Sequence, residues 1–504
     1  MATLQDYRDE RLRKLADLKS LGFNPYPADS HRTHNTLEIV ERFDELQGQT
    51  VTITGRIMGL RKFGKLAFIV LRDQSGQVQL FLHAPDVAEL DAKSGLVGMK
   101  ELPLLDTGDF VEATGEVIKT KTGEISIGVR TLRLLTKSLR PMPTELTDKE
   151  QRLRRRYVDM AVNREVRERF ERRSRFWRAT RDFLVERDFT EINIPVLEVT
   201  AGGADATPFV THMNALDQDF YLRISHELPL KRLLVAGYER VFDIGPRFRN
   251  ENYSEEHLPE HVAMEWYWAY ADWEMGMQMT EEMIRYIADK TWGTRQFTLS
   301  DGRQVDFGQD GEHFPRISFV DVLQKEYGID VFESTIDQIA AKLKENGLEV
   351  EKQDNRQRSL DKLWKKYRKT LAGPAFLVDM PTFMQPLAKV QPDNPQLTEQ
   401  FNLVFGGSEM CKAFSELNDP VDQYGRFLEQ QQLRDAGDDE AQMMDIDYVE
   451  ALEYGMPPAC GLGFSERVFW SLEGVTAREG VPFPQLRHEL DETTKSIYSD
   501  IVSE

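Results

Sequence analysis

The stretch Val241-Phe242-Asp243-Ile244 alternates as a strand should and runs into Gly245-Pro246-Arg247-Phe248-Arg249-Asn250-Glu251. Two arginines and a carboxylate therefore collect at its end. Val262-Ala263-Met264-Glu265-Trp266-Tyr267 reads as a returning strand, which makes Asn252 to His261 the hairpin loop. Side chains alternate between faces along a strand, so Arg247, Arg249 and Glu251 share one face and Phe248 takes the other. Clustered cations beside a carboxylate suit a ligand that bears phosphate and also an amine or a metal. Salt bridging at the surface is the plainer reading of the same residues.

A second constellation lies near the carboxy terminus. Pro457-Pro458-Ala459-Cys460-Gly461-Leu462-Gly463-Phe464-Ser465-Glu466-Arg467 precedes the apolar run Val468-Phe469-Trp470-Ser471-Leu472. A glycine-rich strand that leads to an arginine and then a helix can bring bare backbone and a guanidinium against a nucleotide. A packing turn accounts for the glycines equally well. No Gly-Lys-Ser/Thr follows, so this is not a P-loop.

These residues need elements to hold them. Residues 5–20 read as an amphipathic helix that ends near Gly22 and the Pro25-Tyr26-Pro27 turn. Between Thr50 and Leu135 short alternating runs predict strands at 51–55, 67–71, 78–82, 110–113 and 125–129. Five strands in so short a span suggest a small closed barrel of the oligonucleotide-binding type, although a purely structural barrel fits too. Residues 139–147, with two prolines, read as a connecting segment. Val166, Phe170, Trp177 and Leu184 then mark one face of a long helix whose other face is rich in arginine. A strand-rich, irregular region runs from about 192 to 271. Helices are expected at 275–292 and 336–346, and strands near 375–378, 401–405 and 410–417. Residues 290–372 have the weakest local pattern and are the natural place for an insertion.

Composition bounds the rest. The 504 residues carry 64 Lys+Arg against 85 Asp+Glu, a net charge of −21. At roughly 150 residues per domain this length gives about three domains. A hydrophobic content of 40% and a mean hydropathy of −0.50 describe a soluble globular chain. No apolar run approaches the ~18 residues a spanning helix requires, so no membrane partner is expected. The charged segment 1–21 lacks a secretory apolar core. Cys411 and Cys460 are too few for a disulfide framework or a thiolate metal site, and a reducing cytoplasm fits. The acidic balance opposes general polyanion binding but allows nucleic acid at local basic patches. Two such patches are Arg61, Lys62 and Lys65, and the arginine-dense stretch from Arg152 to Arg181, which reads as easily as a solvated helix face.

Taken together, these segments resemble the class II aminoacyl-tRNA synthetases, in their lysine branch, over nearly the whole chain. Phe189-Thr190-Glu191-Ile192-Asn193-Ile194-Pro195 looks like the family's first motif, which builds a dimer interface. Phe248 through Glu265 looks like the second motif, and Gly461 through Arg467 like the third. The lysine branch is matched by Gly202-Gly203-Ala204, Asn214-Ala215-Leu216-Asp217, Leu230-Lys231-Arg232-Leu233 and Phe414-Ser415-Glu416-Leu417-Asn418-Asp419. Asp435 through Glu440 belongs to the same set. The resemblance implies an α+β chain in which residues 1–140 form the helix and the oligonucleotide-binding (OB-fold) barrel. Residues 141–160 would be a linker, and 161–504 the catalytic domain on an antiparallel sheet, with the insertion near 290–372.

It further implies a cytoplasmic homodimer that joins L-lysine to ATP as an adenylate and passes the lysyl group to tRNA(Lys), with Mg²⁺ as cofactor. No protein nucleophile is needed for such a reaction; positioning and charge neutralisation carry the rate. By resemblance Arg249 binds the α-phosphate and the substrate carboxylate, and Arg467 the γ-phosphate end. His257 is a further phosphate ligand, Glu251 orients adenine, and Glu409 is a Mg²⁺ ligand on the ATP phosphates. The backbone of Gly203 and the Glu227 carboxylate would meet the α-amine of lysine. Glu416 and Tyr267 would meet the ε-amine, with Glu265 in support and Phe414 in the wall. In the barrel, Phe68 and Gln79 match anticodon-reading positions, with Arg61 and Glu124 beside them. Phe68 offers a stacking surface worth about 1–3 kcal/mol per base if it faces outward, and would be core if it faces in.

Five positions depart from the family pattern. Asn402 stands where a second metal-binding glutamate is expected, and Glu256 replaces an arginine before His257. His261 takes the place of a phenylalanine that sandwiches adenine; an imidazole still stacks. Lys412 replaces an asparagine in the amino-acid pocket, about 13 Å along an extended strand from Glu416. Ser465-Glu466 breaks the third motif in the manner of the aspartate and asparagine relatives. Those relatives, and a tRNA-binding paralogue without catalysis, are the alternative readings. An acidic substrate would want arginine where Glu416 and Tyr267 stand.

Overall fold

The computed structural model describes residues 3–250, 254–351, 354–435 and 441–499. Two bodies are distinguished by their internal packing: Met1–Asp148 together with Leu486–Glu504, and Lys149–Gln485.

The first body opens with helix α1 (Leu4–Ser20), capped by Thr3, whose side chain accepts from the Asp6 amide. Five strands follow: β1 (Thr50–Phe63), β2 (Leu66–Arg72), β3 (Gln77–His83), β4 (Phe110–Lys119) and β5 (Ile125–Thr136). They close into a barrel in the order β1-β2-β3-β5-β4. Each expected strand lies inside an observed one. Alternation fixes the inside: Ala67, Ile69 and Leu71 of β2 and Val78, Leu80 and Leu82 of β3 are buried in a common core. The tail from Leu486 groups with this body rather than with the second one. The reason is local: Arg140 Nη2 donates to Thr494 Oγ1 at 3.3 Å, and the Arg8 guanidinium lies 6.0 Å from the Tyr498 ring centroid.

The second body is built on an eight-stranded sheet. Its elements are α2 (Arg164–Val185), β6 (Thr190–Glu191), α3 (Glu227–Val235), β7 (Arg240–Phe248), β8 (Glu260–Ala269), α4 (Trp273–Trp292), β9 (Arg316–Ser318), α5 (Arg356–Arg368), β10 (Ala375–Val378), β11 (Gln400–Phe405), β12 (Ser408–Ser415), β13 (Ala459–Ser465) and α6 (Arg467–Glu473). The strand order is β9-β10-β11-β12-β13-β8-β7-β6. The six strands from β10 to β7 are antiparallel, and β9 and β6 pair in parallel at the two ends. Helices α2 and α4 cover one face. Trp177 of α2 stacks on Phe464 of β13, centroids 5.8 Å apart, within an aromatic core that includes Phe176, Trp266 and Phe401.

Three expectations need correction. The expected linker 141–160 is helical from Lys149 onward (Lys149–Arg154, Arg156–Val162), and Arg156 is buried there, donating to Asp159 at 2.8 Å and to the Arg478 carbonyl at 3.1 Å. Part of the arginine-dense stretch is structural rather than a free basic patch. Arg172 pairs with Glu473, Arg181 with Glu191 and Arg173 with Glu466, so its cations hold the body together. That pairing also explains Glu466 in the third motif: it is the buried counter-ion of α2. The span 290–372 is not wholly an insertion, because β9 is an edge strand of the main sheet. Three residues are too short for alternation to register. Of the remainder, Phe297, Val305 and Phe307 join the main aromatic core, while Leu323, Ile339, Leu343, Leu360 and Trp364 pack with Leu377 and Val404 of the sheet.

Candidate active site

Register across the sheet explains why these residues meet. Phe414, Gly461 and Tyr267 stand opposite one another on β12, β13 and β8, and the next row is Lys412, Gly463, Glu265 and, on β7, Asp243. Arg247 faces His261 two rows further along. Period-two geometry turns all of them to one face, opposite the aromatic core, where all but Asp243 line a cavity of about 790 Å³.

At one end the cavity is anionic. Glu227 at the start of α3 and Glu416 after β12 are buried, and Lys231 lies between them. Its Nζ is 2.6 Å from Glu227 Oε1 and also contacts Glu416. Phe414 and Tyr448 flank the same ammonium, with ring centroids at 5.3 and 5.8 Å. Burial pushes the Glu416 carboxyl well above the usual carboxylate range, although the Lys231 charge opposes this. Glu265 is held differently. It accepts hydrogen bonds from Ser225 Oγ at 2.8 Å, the His226 amide at 3.0 Å and Tyr267 Oη at 3.0 Å. Burial alone would raise it, but His226 and the nearby Arg247 charge hold its carboxyl down at about 2.

The glycines keep this end open. A Cβ on Gly461 would run into the Glu416 carboxylate and the Tyr267 ring, and one on Gly203 would stand 2.8 Å from Glu227 Cβ. Gly203 also has φ +83°, a conformation that side chains disfavour.

The other end is cationic. Arg247 Nε donates to His261 Nε2 at 2.8 Å, and burial among Arg249 and Arg467 lowers the Arg247 guanidinium to about 9. Burial and Arg247 likewise push the His261 imidazole well below its ordinary value. Arg467, at the start of α6, contacts His257 Nε2 at 2.9 Å. Arg249 lies just past β7, its amide bonded to the Pro259 carbonyl at 2.9 Å. Glu251 lies outside the described residues.

Glu409 is engaged on both oxygens. Oε1 accepts from Trp364 Nε1 at 2.7 Å and from Arg368 Nη1 at 2.8 Å, and Oε2 accepts from Asn402 Nδ2 at 2.8 Å. One carboxylate paired to a guanidinium, beside a neutral amide, does not fit a protein-held Mg²⁺. Among the described residues no group of three His, Cys, Asp or Glu side chains is placed to hold a metal.

On the barrel, Phe68 faces outward between the buried Ala67 and Ile69. It pairs across β2 and β3 with Phe81, centroids 5.5 Å apart, and lies 6.4 Å from the exposed Phe63. Arg61 is opposite Phe68, and Gln79 is on the same face, its Nε2 donating to Ser126 Oγ at 2.9 Å. Glu124 is exposed on the turn before β5. Phe63 and Phe81 escaped the sequence reading, though cross-strand alternation from Phe68 would have found Phe81. Lys231, Tyr448, Trp364 and Arg368 were missed as site residues as well.

This antiparallel sheet, with an anionic and a cationic end on one face and a separate oligonucleotide-binding barrel, defines a class II synthetase. The family of tRNA synthetases class II (D, K and N) matches residues 148–487, an OB-fold nucleic acid binding domain matches residues 51–135, and the chain belongs to that class II family. Within it, the chain is similar to lysine–tRNA ligases along its whole length. That of Fervidobacterium nodosum is 42% identical over 498 residues, covering 97% of this chain and 95% of the relative. That of Thermotoga maritima is 41% identical over 496 residues (95% and 96%), and that of Carboxydothermus hydrogenoformans 43% over 485 (95% and 97%).

Proposed function

We infer that this chain is a lysine–tRNA ligase. It joins L-lysine to ATP as lysyl-adenylate and transfers the lysyl group to the 3′ end of tRNA(Lys). The observation that carries the reading is the charge at the anionic end of the cavity. Among the described residues Glu227 and Glu416 share Lys231 as their one contacting cation, the Lys412 charge reaching Glu227 only from further off, while Glu265 has Arg247 at 3.8 Å. One buried carboxylate is left for a cation that must come from the ligand. A buried charge without a partner costs several kcal/mol, so a substrate ammonium is strongly favoured there.

In the first step a lysine carboxylate oxygen attacks the α-phosphorus, and the bond to the pyrophosphate oxygen breaks. Arg249 neutralises the carboxylate and α-phosphate as they approach, and Arg467 with His257 holds the departing pyrophosphate end. Glu227 and the Gly203 backbone receive the α-amine; Glu416 and Tyr267 receive the ε-amine against the Phe414 wall. Glu251 and His261 serve adenine. In the second step a ribose hydroxyl of the tRNA attacks the lysyl carbonyl carbon and AMP leaves. Mg²⁺ enters as the counter-ion of ATP. Phe68, Gln79, Arg61 and Glu124 read the anticodon, which the outward placement of Phe68 supports. The enzyme works as a homodimer through the segment around Phe189–Pro195, in the cytoplasm where tRNA is charged. An acidic substrate is disfavoured, because it would add a third negative charge beside Glu227 and Glu416. Charging of tRNA(Lys) with labelled lysine by the purified chain tests the reading: lysine-specific charging is expected, and charging with aspartate or asparagine instead would refute it.

A further inference from the structure

Helix α5 lies in the span with the weakest sequence pattern, yet Lys365 and Arg368 line the same cavity as Arg249 and Arg467. We propose that Arg368, with Lys365 one turn before it, binds the β- and γ-phosphates of ATP and supplies charge that a carboxylate-held divalent cation would supply elsewhere. This rests on the ATP-dependent reading given above.

Four relationships support it. Arg368 and Lys365 are close enough that their charges act on Arg467 and His257 respectively, so all four groups surround one end of the cavity. The Glu409 carboxylate is neutralised by Arg368, and Asn402 adds no charge, so this corner attracts no free cation. When Arg368 turns toward phosphate, Trp364 Nε1 and Asn402 Nδ2 still donate to the two Glu409 oxygens, so the carboxylate keeps hydrogen bonds though not its counter-ion. The loop residue Glu256 places a negative charge beside Arg467, which extra cations on the opposite wall offset. A planar guanidinium is well shaped to bridge two phosphate oxygens.

Calorimetric titration of the full chain with ATP and with AMP, in Mg²⁺, tests this. Arg368→Ala is expected to weaken ATP binding about tenfold or more and to change AMP binding by less than about twofold, since AMP lacks the two phosphates concerned. Arg368→Lys keeps Glu409 paired and is expected to weaken ATP about threefold with AMP unchanged. ATP binding unchanged in Arg368→Ala would overturn the inference while leaving the ligase reading intact, and so would equal weakening of ATP and AMP in both variants. A wild-type chain that bound no ATP would overturn both.

Discussion

Lys231 Nζ lies 2.6 Å from Glu227 Oε1, one helical turn away on α3, and the same ammonium reaches Glu416 from the end of β12. A resident cation thus joins the two carboxylates assigned to opposite ends of the substrate. It lets two acids stand together in a buried pocket and leaves a single negative charge for the ligand. The departure at Lys412 makes no such contact: Lys412 is exposed on β12, with Nζ 5.7 Å from the Phe414 ring centroid, and its charge acts on Glu227 only at longer range.

Lys231→Met removes that resident charge. Two buried carboxylates are then without a protein cation, which should cost about 3–5 kcal/mol. Denaturant unfolding measures the loss, and free lysine should restore part of it because the ligand brings its own ammonium ions.

Glu416→Gln keeps the shape of the side chain and removes its charge. The KM for lysine should rise about 100-fold, as expected for a loss of about 3 kcal/mol, while the KM for ATP changes less than about twofold. Steady-state exchange kinetics with each substrate varied separately would reveal an equal rise in both, which would contradict the assignment of Glu416 to lysine.

Gly461→Ala places a methyl group against Tyr267 and Glu416. Overpacking of this kind costs about 1–3 kcal/mol, and here it also fills the lysine pocket. Lysine affinity should fall at least about tenfold with ATP binding retained, as read by separate titrations.

Lysine binding should strengthen with pH. The Glu416 carboxyl is raised well above 4.5 by burial, with the Lys231 charge opposing, so at low pH it is neutral and holds an ammonium poorly. As pH rises from the ordinary carboxylate range through this raised value, the group ionises and gains its partner. Binding below that value must therefore release a proton, which titrations in buffers of different ionisation enthalpy detect; in Glu416→Gln the release should shrink to the share of Glu227, which burial also raises.

Phe68→Ala removes an outward ring that stacks with no core residue of the barrel interior. Charging of tRNA(Lys) should weaken by about 1–3 kcal/mol in apparent tRNA affinity, and lysine-dependent pyrophosphate exchange should persist. A marked loss of barrel stability on thermal unfolding would mean that the ring packs as core.

The barrel was legible because its strands alternate cleanly, with Ala67, Ile69 and Leu71 inward and Phe68 between them. The second and third motifs were legible for the same reason, since Arg247, Glu265 and Gly461 sit on strands long enough to fix a face. Lys231 was harder to read. Its spacing from Glu227 is the i,i+4 of an ordinary helix salt bridge, and only the tertiary approach of Glu416 makes it part of a pocket. Arg368 and Trp364 were not legible at all. They belong to an amphipathic helix whose target, Glu409, comes from a strand 41 residues from Arg368, and no local period encodes that meeting. The arginines of α2 misled in the opposite direction, because their partners Glu466 and Glu473 lie some three hundred residues along the chain.

The central claim is that one uncompensated buried carboxylate selects a substrate carrying a distal cation. ATP–pyrophosphate exchange by the purified chain, compared between lysine and norleucine, tests it most directly, because the two differ at the ε-amine. The account predicts kcat/KM favouring lysine by about 10⁴-fold or more. Discrimination of tenfold or less would contradict it.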